Sequence, residues 1–264
     1  MAVPDVGVQL VSGDDVAEAA TLLEGVVRRT PLEHSRALAE RVGGPVWLKC
    51  ENLQHTGSFK FRGAYTRLSR LTAGERARGV VAASAGNHAQ GVALAAKMLG
   101  IRATVFMPEN APLPKVAATR SYGADARLGG LDLTDALAAA VAHAEETGAV
   151  FIHPFEHPDV IAGQGTVGLE LLEQCPDAAT VVVCTGGGGL VAGCALAMEA
   201  MAPGAAVWAV EPEGWDDTKR SLDAGERLAN DGAGSGLCDA LLSRMPGALT
   251  FPINRRLLAG AAVV

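Results

Sequence analysis

The chain has 264 residues, of which 49% are hydrophobic and 19% are charged, and its formal net charge is −7. This composition supplies enough apolar surface for a folded core and excludes a wholly disordered chain. The charged residues form no Lys/Arg stripe, so nucleic acid is not an expected partner, and no apolar run is long enough to cross a membrane. The five scattered cysteines, and a first segment without signal-peptide features, predict a cytoplasmic protein.

Short apolar strands alternate with helices along the chain. Helical patterns cover residues 16–27, 59–71, 86–99, 115–122, 135–147, 165–174 and 190–201. Strand patterns cover residues 45–50, 79–83, 101–107, 149–152, 180–184 and 206–210. Asp14 or Asp15 is the expected N-cap of the first helix, and Thr134 that of the helix over 135–147. This alternation predicts a parallel α/β architecture that binds ligands at the carboxyl ends of its strands.

A candidate reactive lysine lies in the stretch LKCENLQHTGSFKFRGAY, residues 48–65. Lys60 follows a strand and a polar turn and stands near the start of a helix. The positive end of a helix disfavours an ammonium and lowers its pKa. A lysine that loses its proton near neutral pH is able to form an imine with an aldehyde. Taken alone, such a residue is more often a solvated surface lysine.

A candidate carboxylate-binding turn lies in AASAGNHAQG, residues 82–91, between a strand and a helix. The backbone N–H groups at this helix start are suited to hold a carboxylate, and Asn87 adds a side-chain donor. The alternative is a tight turn in which Asn87 caps the helix. The donors of the turn belong to Ser84, Ala85, Gly86, Asn87 and His88.

A candidate phosphate-binding turn lies in VVVCTGGGGLVAG, residues 181–193. Four glycines stand between a β-branched strand and a helix, at Gly186, Gly187, Gly188 and Gly189. Glycine lets the backbone approach an anion closely, and the helix start supplies donors and a favourable dipole. A flexible glycine linker is the alternative, but it fits poorly between a strand and a helix.

These stretches together resemble the fold-type II enzymes that use pyridoxal 5′-phosphate (PLP). TGSFKFRGAY is similar to the segment that carries the cofactor lysine, whereas SAGNHAQGVA and TGGGGLVAG are similar to the substrate and phosphate loops, in the same order. The likeness continues through VFMPENAPLPKVAATRSYGA and HPFEHPDVIAGQGT. The most similar branch is that of the threonine/serine dehydratases, or threonine ammonia-lyases, and serine racemase is a near relative.

The resemblance implies an α/β fold like that of the tryptophan synthase β subunit, with two three-layer α/β/α domains and mostly parallel sheets. Residues 1–52 and 154–264 then form a large PLP-binding domain, and residues 53–153 a small domain. Members of the family usually form dimers or tetramers, so a homo-oligomer is expected. The implied substrate is a small hydroxyamino acid, L-threonine or L-serine, which loses water and ammonia to give a 2-oxo acid. 3-Hydroxyaspartate is the competing substrate.

The resemblance also implies a role for each site residue. Lys60 forms the imine with PLP and then acts as the base at the substrate Cα. Phe59 lies against the cofactor, and Asn87 hydrogen-bonds its ring hydroxyl. The glycines at 186–189 wrap the phosphate, and residues 84–88 bind the substrate carboxylate. PLP itself serves as the electron sink of the reaction.

The sequence departs from the family in two places. Ala85 stands where serine racemase has a second serine, so racemisation should be weak and elimination should dominate. The chain stops at LLAGAAVV, an apolar end typical of the middle of a helix or strand. Relatives continue and supply a Ser, Thr or Cys that faces the pyridine nitrogen, a role that no residue of this chain can be assigned. A C-terminally truncated large domain is therefore expected.

A candidate cation site lies in the acidic turn EPEGWDD, residues 211–217. By resemblance, Glu211, Asp217 and the main-chain carbonyl of Trp215 match the cation site of the serine racemase branch. Oxygen ligands of this kind suit Mg²⁺ or Ca²⁺. The alternative is a solvated acidic turn without a cation.

Rival interpretations come from two local motifs. The spacing Gly187-x-Gly189-x-x-Ala192, with Glu211 about 20 residues further on, fits the dinucleotide fingerprint of an NAD-dependent dehydrogenase. That interpretation leaves Lys60 unexplained. The stretch HPFEH, residues 153–157, matches a zinc motif that requires one continuous helix, which its prolines disfavour. A catalytically inactive binding protein is the remaining alternative.

Overall fold

The computed structural model describes residues 11–231 and 237–264. Residues 1–10, for which the sequence predicts no signal peptide, lie outside this range, as do residues 232–236. Among the described residues, every helix is too short or too polar to span a bilayer.

Helices and strands alternate through most of the described chain. The strands are β1 (Leu32–His34), β2 (Trp47–Lys49), β3 (Val80–Ala83), β4 (Ala103–Met107), β5 (Asp125–Leu128), β6 (Val150–Phe151), β7 (Thr180–Cys184), β8 (Ala206–Glu211) and β9 (Gly260–Val263). The helices are α1 (Gly13–Leu23), α2 (Arg36–Val42), α3 (Lys60–Ser69), α4 (Ala73–Arg78), α5 (Asn87–Leu99), α6 (Leu113–Ser121), α7 (Leu133–Thr147), α8 (Pro158–Gln174), α9 (Gly189–Met201), α10 (Asp217–Ala224) and α11 (Thr250–Leu257).

Two parallel sheets organise the fold. The first has the strand order β5-β4-β3-β6 and the second the order β7-β8-β9, whereas β1 and β2 form a small antiparallel pair. Side chains of α3 and α5 pack on one face of the first sheet, and α7 packs on the other. This layering buries both faces of the central strand β3, as is typical of parallel sheets between helices. The predicted α/β class with mostly parallel sheets is confirmed.

The second sheet is covered on one face by α9, whose apolar residues pack against β7 and β8. The sequence predicts β7 with the bounds that the structure has, but as a wholly buried strand. Its residues instead alternate, with Val181 and Val183 buried and Val182 64% exposed. The alternation follows from the two-residue period of a strand.

The helix starts differ from the sequence-based predictions. Ser12, rather than Asp14 or Asp15, caps α1, because its side chain and that of Asp15 form a reciprocal capping box. Asp132, rather than Thr134, caps α7.

Helix α8 begins at Pro158, seven residues before the predicted start at 165. Proline is well suited to the first position of a helix, where its missing N–H has no partner to lose. The elements β1, α2, α4, β5, α10 and α11 carry no predicted helix or strand, since each is short and stabilised mainly by its neighbours. The apolar stretch LLAGAAVV, predicted as the middle of a helix or strand, contains β9.

Candidate active site

Lys60 is the first residue of α3, and its ammonium faces the end of β6. Its Nζ atom donates a hydrogen bond to the main-chain carbonyl of Pro154 at 2.8 Å and lies 5.3 Å from the centre of the Phe59 ring. Burial of the ammonium among protein atoms lowers the pKa of Lys60 to about 8. Burial is thus the main cause of the lowered pKa, whereas the sequence pattern predicts the helix dipole as its cause. An appreciable fraction of this lysine is an uncharged nucleophilic amine near neutral pH.

The turn at residues 84–86 connects β3 to α5 and lies close to Lys60. Gly91 of α5 packs on the Lys60 backbone so tightly that a Cβ atom at Gly91 would stand 3.1 Å from the Lys60 carbonyl carbon. Asn87 is already inside the helix, and Gly86 occupies the N-cap position without a capping side chain. The alternative in which Asn87 caps the helix is therefore wrong.

Two histidines near Lys60 are uncharged, the buried His88 and the half-buried His153. The Nε2 atom of His88 lies 2.8 Å from the Ile152 carbonyl, and burial together with the nearby Lys60 ammonium lowers the pKa of His88 to about 3. Burial and Lys60 likewise lower the pKa of His153 to about 4. Because the His88 ring turns toward Ile152, its side chain has a structural role that the sequence did not indicate. Neither ring adds a positive charge beside Lys60 at neutral pH.

The glycine run follows β7 and leads directly into α9. Gly188 occupies the N-cap position of α9 with a left-handed φ of +89°, and no side chain caps the helix. A Cβ atom at Gly187 would lie 2.3 Å from the Phe155 ring, so a larger residue has no room there. The turn therefore presents the start of a 13-residue helix as a cradle for an anion. Lys60 lies near the run, since Pro154, which accepts the Lys60 hydrogen bond, is followed directly by Phe155, which packs on Gly187.

The segment 153–156 joins these features and was not singled out from the sequence as part of the site. Pro154 accepts the Lys60 hydrogen bond, and Phe155 packs on the glycine run. The Nδ1 atom of His153 accepts the backbone N–H groups of Phe155 and Glu156, so the segment is a turn. The zinc interpretation of HPFEH is wrong, because its histidines share no helix. The literal motif match was the one local signal that marked this segment.

The candidate cation residues are brought together, and the solvated-turn alternative is wrong for both carboxylates. Glu211 and Asp217 are each 0% exposed. Glu211 accepts the backbone N–H groups of Thr218 and Lys219 at 2.9 and 2.8 Å, at the start of α10. Burial and the neighbouring Glu211 raise the pKa of Asp217 to about 7.

The residues present fit PLP. Lys60 provides an amine for an aldehyde, the glycine run a cradle for a phosphate, and the turn at 84–88 donors for a substrate carboxylate. An amine of lowered pKa beside two helix starts defines a PLP-binding protein. The family described as "Pyridoxal-phosphate dependent enzyme" matches residues 23–264, so the chain belongs to this family. The predictions of the family and of PLP as its cofactor are confirmed, and the NAD-dehydrogenase interpretation is wrong.

Particular relatives come from the predicted branch. The L-threonine ammonia-lyase of Thermotoga maritima is 48% identical over 247 residues, which cover 94% of this chain and 61% of that protein. An L-threo-3-hydroxyaspartate ammonia-lyase of a Pseudomonas species is 46% identical over 247 residues, covering 94% of this chain and 77% of that protein. The structure of maize serine racemase has a TM-score of 0.92 and 39% identity, over 96% of this chain and 77% of that one. The chain thus spans less than two thirds of the length of the Thermotoga relative.

Proposed function

We propose that the protein removes water and ammonia from L-threonine or L-serine and releases a 2-oxo acid. The observation that carries this proposal is the position of Lys60, whose lowered pKa and closeness to both turns suit a PLP lyase. The similarity to L-threonine ammonia-lyase supports threonine as substrate. 3-Hydroxyaspartate is the second candidate, because a relative of almost equal similarity bears that name.

Bound PLP supplies the electron sink for the charge that develops at the substrate Cα. Lys60 would hold the cofactor, and its uncharged amine would take the proton from the substrate Cα. The Pro154 carbonyl then accepts a hydrogen bond from the protonated lysine, as it does from the ammonium in this structure. The neutral His88 and His153 leave Lys60 as the group in this cluster that titrates nearest to neutral pH.

The remaining site residues orient the reactants. Phe59, whose ring lies beside the Lys60 ammonium, would pack against the cofactor, and Asn87 would hydrogen-bond the cofactor ring hydroxyl. The backbone of residues 186–189 holds the phosphate, and that of residues 84–88 holds the substrate carboxylate. Ala85 has no proton to donate on the opposite face of Cα, so the elimination outruns racemisation.

The pair Glu211 and Asp217, with the Trp215 carbonyl, forms the proposed site for Mg²⁺ or Ca²⁺. Two buried carboxylates repel each other, and a divalent cation relieves that repulsion. The Oδ1 atom of Asp217 accepts a hydrogen bond from Asn230 at 2.6 Å, whereas its buried Oδ2 atom has no hydrogen-bond partner among the described residues. An oxygen of this kind is a suitable cation ligand.

The domain division, the oligomeric state and the location are further parts of the proposal. The parallel strands β3 to β6 all lie within residues 53–153, and β7 to β9 lie within residues 154–264, which supports a small domain and a discontinuous large domain. The family resemblance supports a dimer or tetramer, and the free thiols of the described cysteines support a cytoplasmic location.

The decisive experiment measures 2-oxo acid and ammonia released by the purified PLP-loaded protein from L-threonine, L-serine and L-threo-3-hydroxyaspartate. We expect turnover with at least one of them, an adduct on Lys60 after borohydride reduction, and loss of both in Lys60→Ala. If no substrate of the panel is turned over while PLP is bound at Lys60, the protein is the inactive binding protein of the alternative interpretation.

A further inference from the structure

Glu156 caps a helix that lies far from it in the sequence. Its carboxylate accepts the backbone N–H groups of Ala248 at 2.6 Å, Leu249 at 3.0 Å and Thr250 at 3.3 Å. These residues form the start of α11, which has neither a capping side chain of its own nor an acidic residue in its first turn. A carboxylate at this place satisfies unpaired donors and complements the positive end of the helix.

The start of α11, which Glu156 caps, forms hydrogen bonds with the backbone of the glycine run. The Thr250 hydroxyl donates to the Gly187 carbonyl at 2.7 Å, and the Gly247 N–H reaches the same oxygen at 3.3 Å. Farther along α11, the buried Asn254 lies against Gly188, where a Cβ atom would stand 2.6 Å from its Nδ2 atom. The path of the glycine run therefore depends on where α11 begins.

The same short segment also contacts the reactive lysine. Phe155 packs on Gly187 and Gly189, and the Pro154 carbonyl accepts the Lys60 hydrogen bond. Residues 154–156 thus touch the amine, the glycine run and the helix that supports the run. Glu156 itself contacts the start of α11, which in turn contacts the glycine run.

We propose that Glu156 is a positioning residue that sets the glycine run for the cofactor phosphate by capping α11. The inference rests on the assignment of PLP to this site. Because the Glu156 carboxylate contacts the start of α11, which supports the glycine run, its loss should weaken the binding of PLP far more than that of pyridoxal, which lacks the phosphate. A general loss of structure would weaken both ligands alike.

The test titrates the apoprotein with PLP and with pyridoxal by absorbance, in wild type and in Glu156→Gln. We expect the ratio of the pyridoxal dissociation constant to the PLP dissociation constant to fall about tenfold in the variant. One lost charge-assisted contact produces an effect of this size. The matched control is Glu199→Gln, which breaks an exposed ion pair with Arg256 between the same helices α9 and α11. That control should keep the wild-type ratio.

Thr250→Val tests the same connection if Glu156→Gln does not fold, because valine keeps the shape of threonine and removes the hydroxyl bonded to Gly187. It should lower the same ratio. An unchanged ratio in the folded variants, or an equal fall in Glu199→Gln, would overturn the inference. If wild type binds neither ligand covalently at Lys60, the proposed function fails instead, and the two failures are thereby distinguished.

Discussion

The Lys60 ammonium donates its hydrogen bond to the carbonyl of Pro154, 94 residues away in the sequence, at 2.8 Å. A carbonyl oxygen is a neutral acceptor, so this contact orients the ammonium without supplying the negative charge that would keep it protonated. Burial then dominates, and the pKa of Lys60 falls from 10.5 to about 8. The amine is thereby held in place and made nucleophilic at a pH where a solvated lysine is almost fully charged.

The rate at which the apoprotein captures pyridoxal should follow the neutral fraction of Lys60. Below pH 8 this fraction rises about tenfold per pH unit, and above the pKa it levels off. Stopped-flow absorbance across pH 6 to 10 measures the rate, and pyridoxal avoids the ionisation of the cofactor phosphate. A rate that keeps climbing steeply through pH 10, as for a free lysine side chain, would show that the pKa is not lowered.

Gly187→Ala should damage both stability and cofactor binding. The added methyl group meets the Phe155 ring at 2.3 Å, and relief of such a clash costs about 1–3 kcal/mol. The shift also moves the phosphate cradle, so PLP affinity should fall. Gly204→Ala is the control, because a Cβ atom there has open space around it. Calorimetric melting of both apoproteins and PLP titration check the prediction, and equal behaviour of the two variants would contradict it.

Arg62→Leu should lower the free energy of unfolding more than the substitution of an exposed arginine does. Arg62 is fully buried two residues after Lys60 and pairs with Glu51 at 2.8 Å and Glu170 at 2.7 Å. Its removal leaves largely buried carboxylates without a partner, at a cost of about 3–5 kcal/mol.

The control for Arg62→Leu is Arg29→Leu, which loses an exposed pair with Glu173 and should change stability by less than about 1 kcal/mol. Urea unfolding of both variants gives the two free energies. Similar losses in both would mean that the buried network contributes no more than a surface pair.

Ala85→Ser should raise the production of D-serine from L-serine relative to pyruvate. With the substrate carboxylate held at residues 84–88 as proposed, the new hydroxyl would lie on the face of Cα opposite Lys60 and would supply a proton there. Chiral chromatography of the amino acid, together with a pyruvate assay, gives the ratio. Wild type that already makes D-serine as fast as pyruvate would refute the assigned role of Ala85.

In the presence of chelator, wild type should lose stability as pH rises, and Asp217→Asn should reduce this loss. The folded pKa of Asp217, about 7, lies above the ordinary value of 3.8, so the folded state binds more protons between these values. Stability contributed by this group therefore falls as pH rises from about 4 to 7. Melting curves at pH 5 and pH 8 with chelator should show a decline of several degrees in wild type that is smaller in Asp217→Asn.

Added Mg²⁺ or Ca²⁺ should restore the stability of wild type at pH 8 and leave Asp217→Asn unchanged, because the cation compensates the paired carboxylates. If neither cation changes the melting temperature of wild type, the proposed cation site is wrong.

Local sequence patterns were sufficient for the elements that carry the chemistry. The β-branched run of β7 and the glycines after it predicted a strand, a turn and a helix start, and the structure has them at these positions. The reason is that strand period, glycine conformation and helix initiation depend on neighbouring residues. The start of α5 after the SAGN turn was predicted within one residue on the same grounds.

The sequence by itself therefore determined the parallel α/β class, and it singled out the lysine and the two candidate ligand-binding turns. Only the tertiary structure decided what surrounds them: the Pro154 carbonyl at Lys60, the neutral histidines His88 and His153, and the carboxylate of Glu156 on a helix that begins 94 residues away. Such contacts join residues that lie far apart in the chain, so no local sequence pattern predicts them. Burial, which sets the pKa of Lys60, exists only once those elements have packed together.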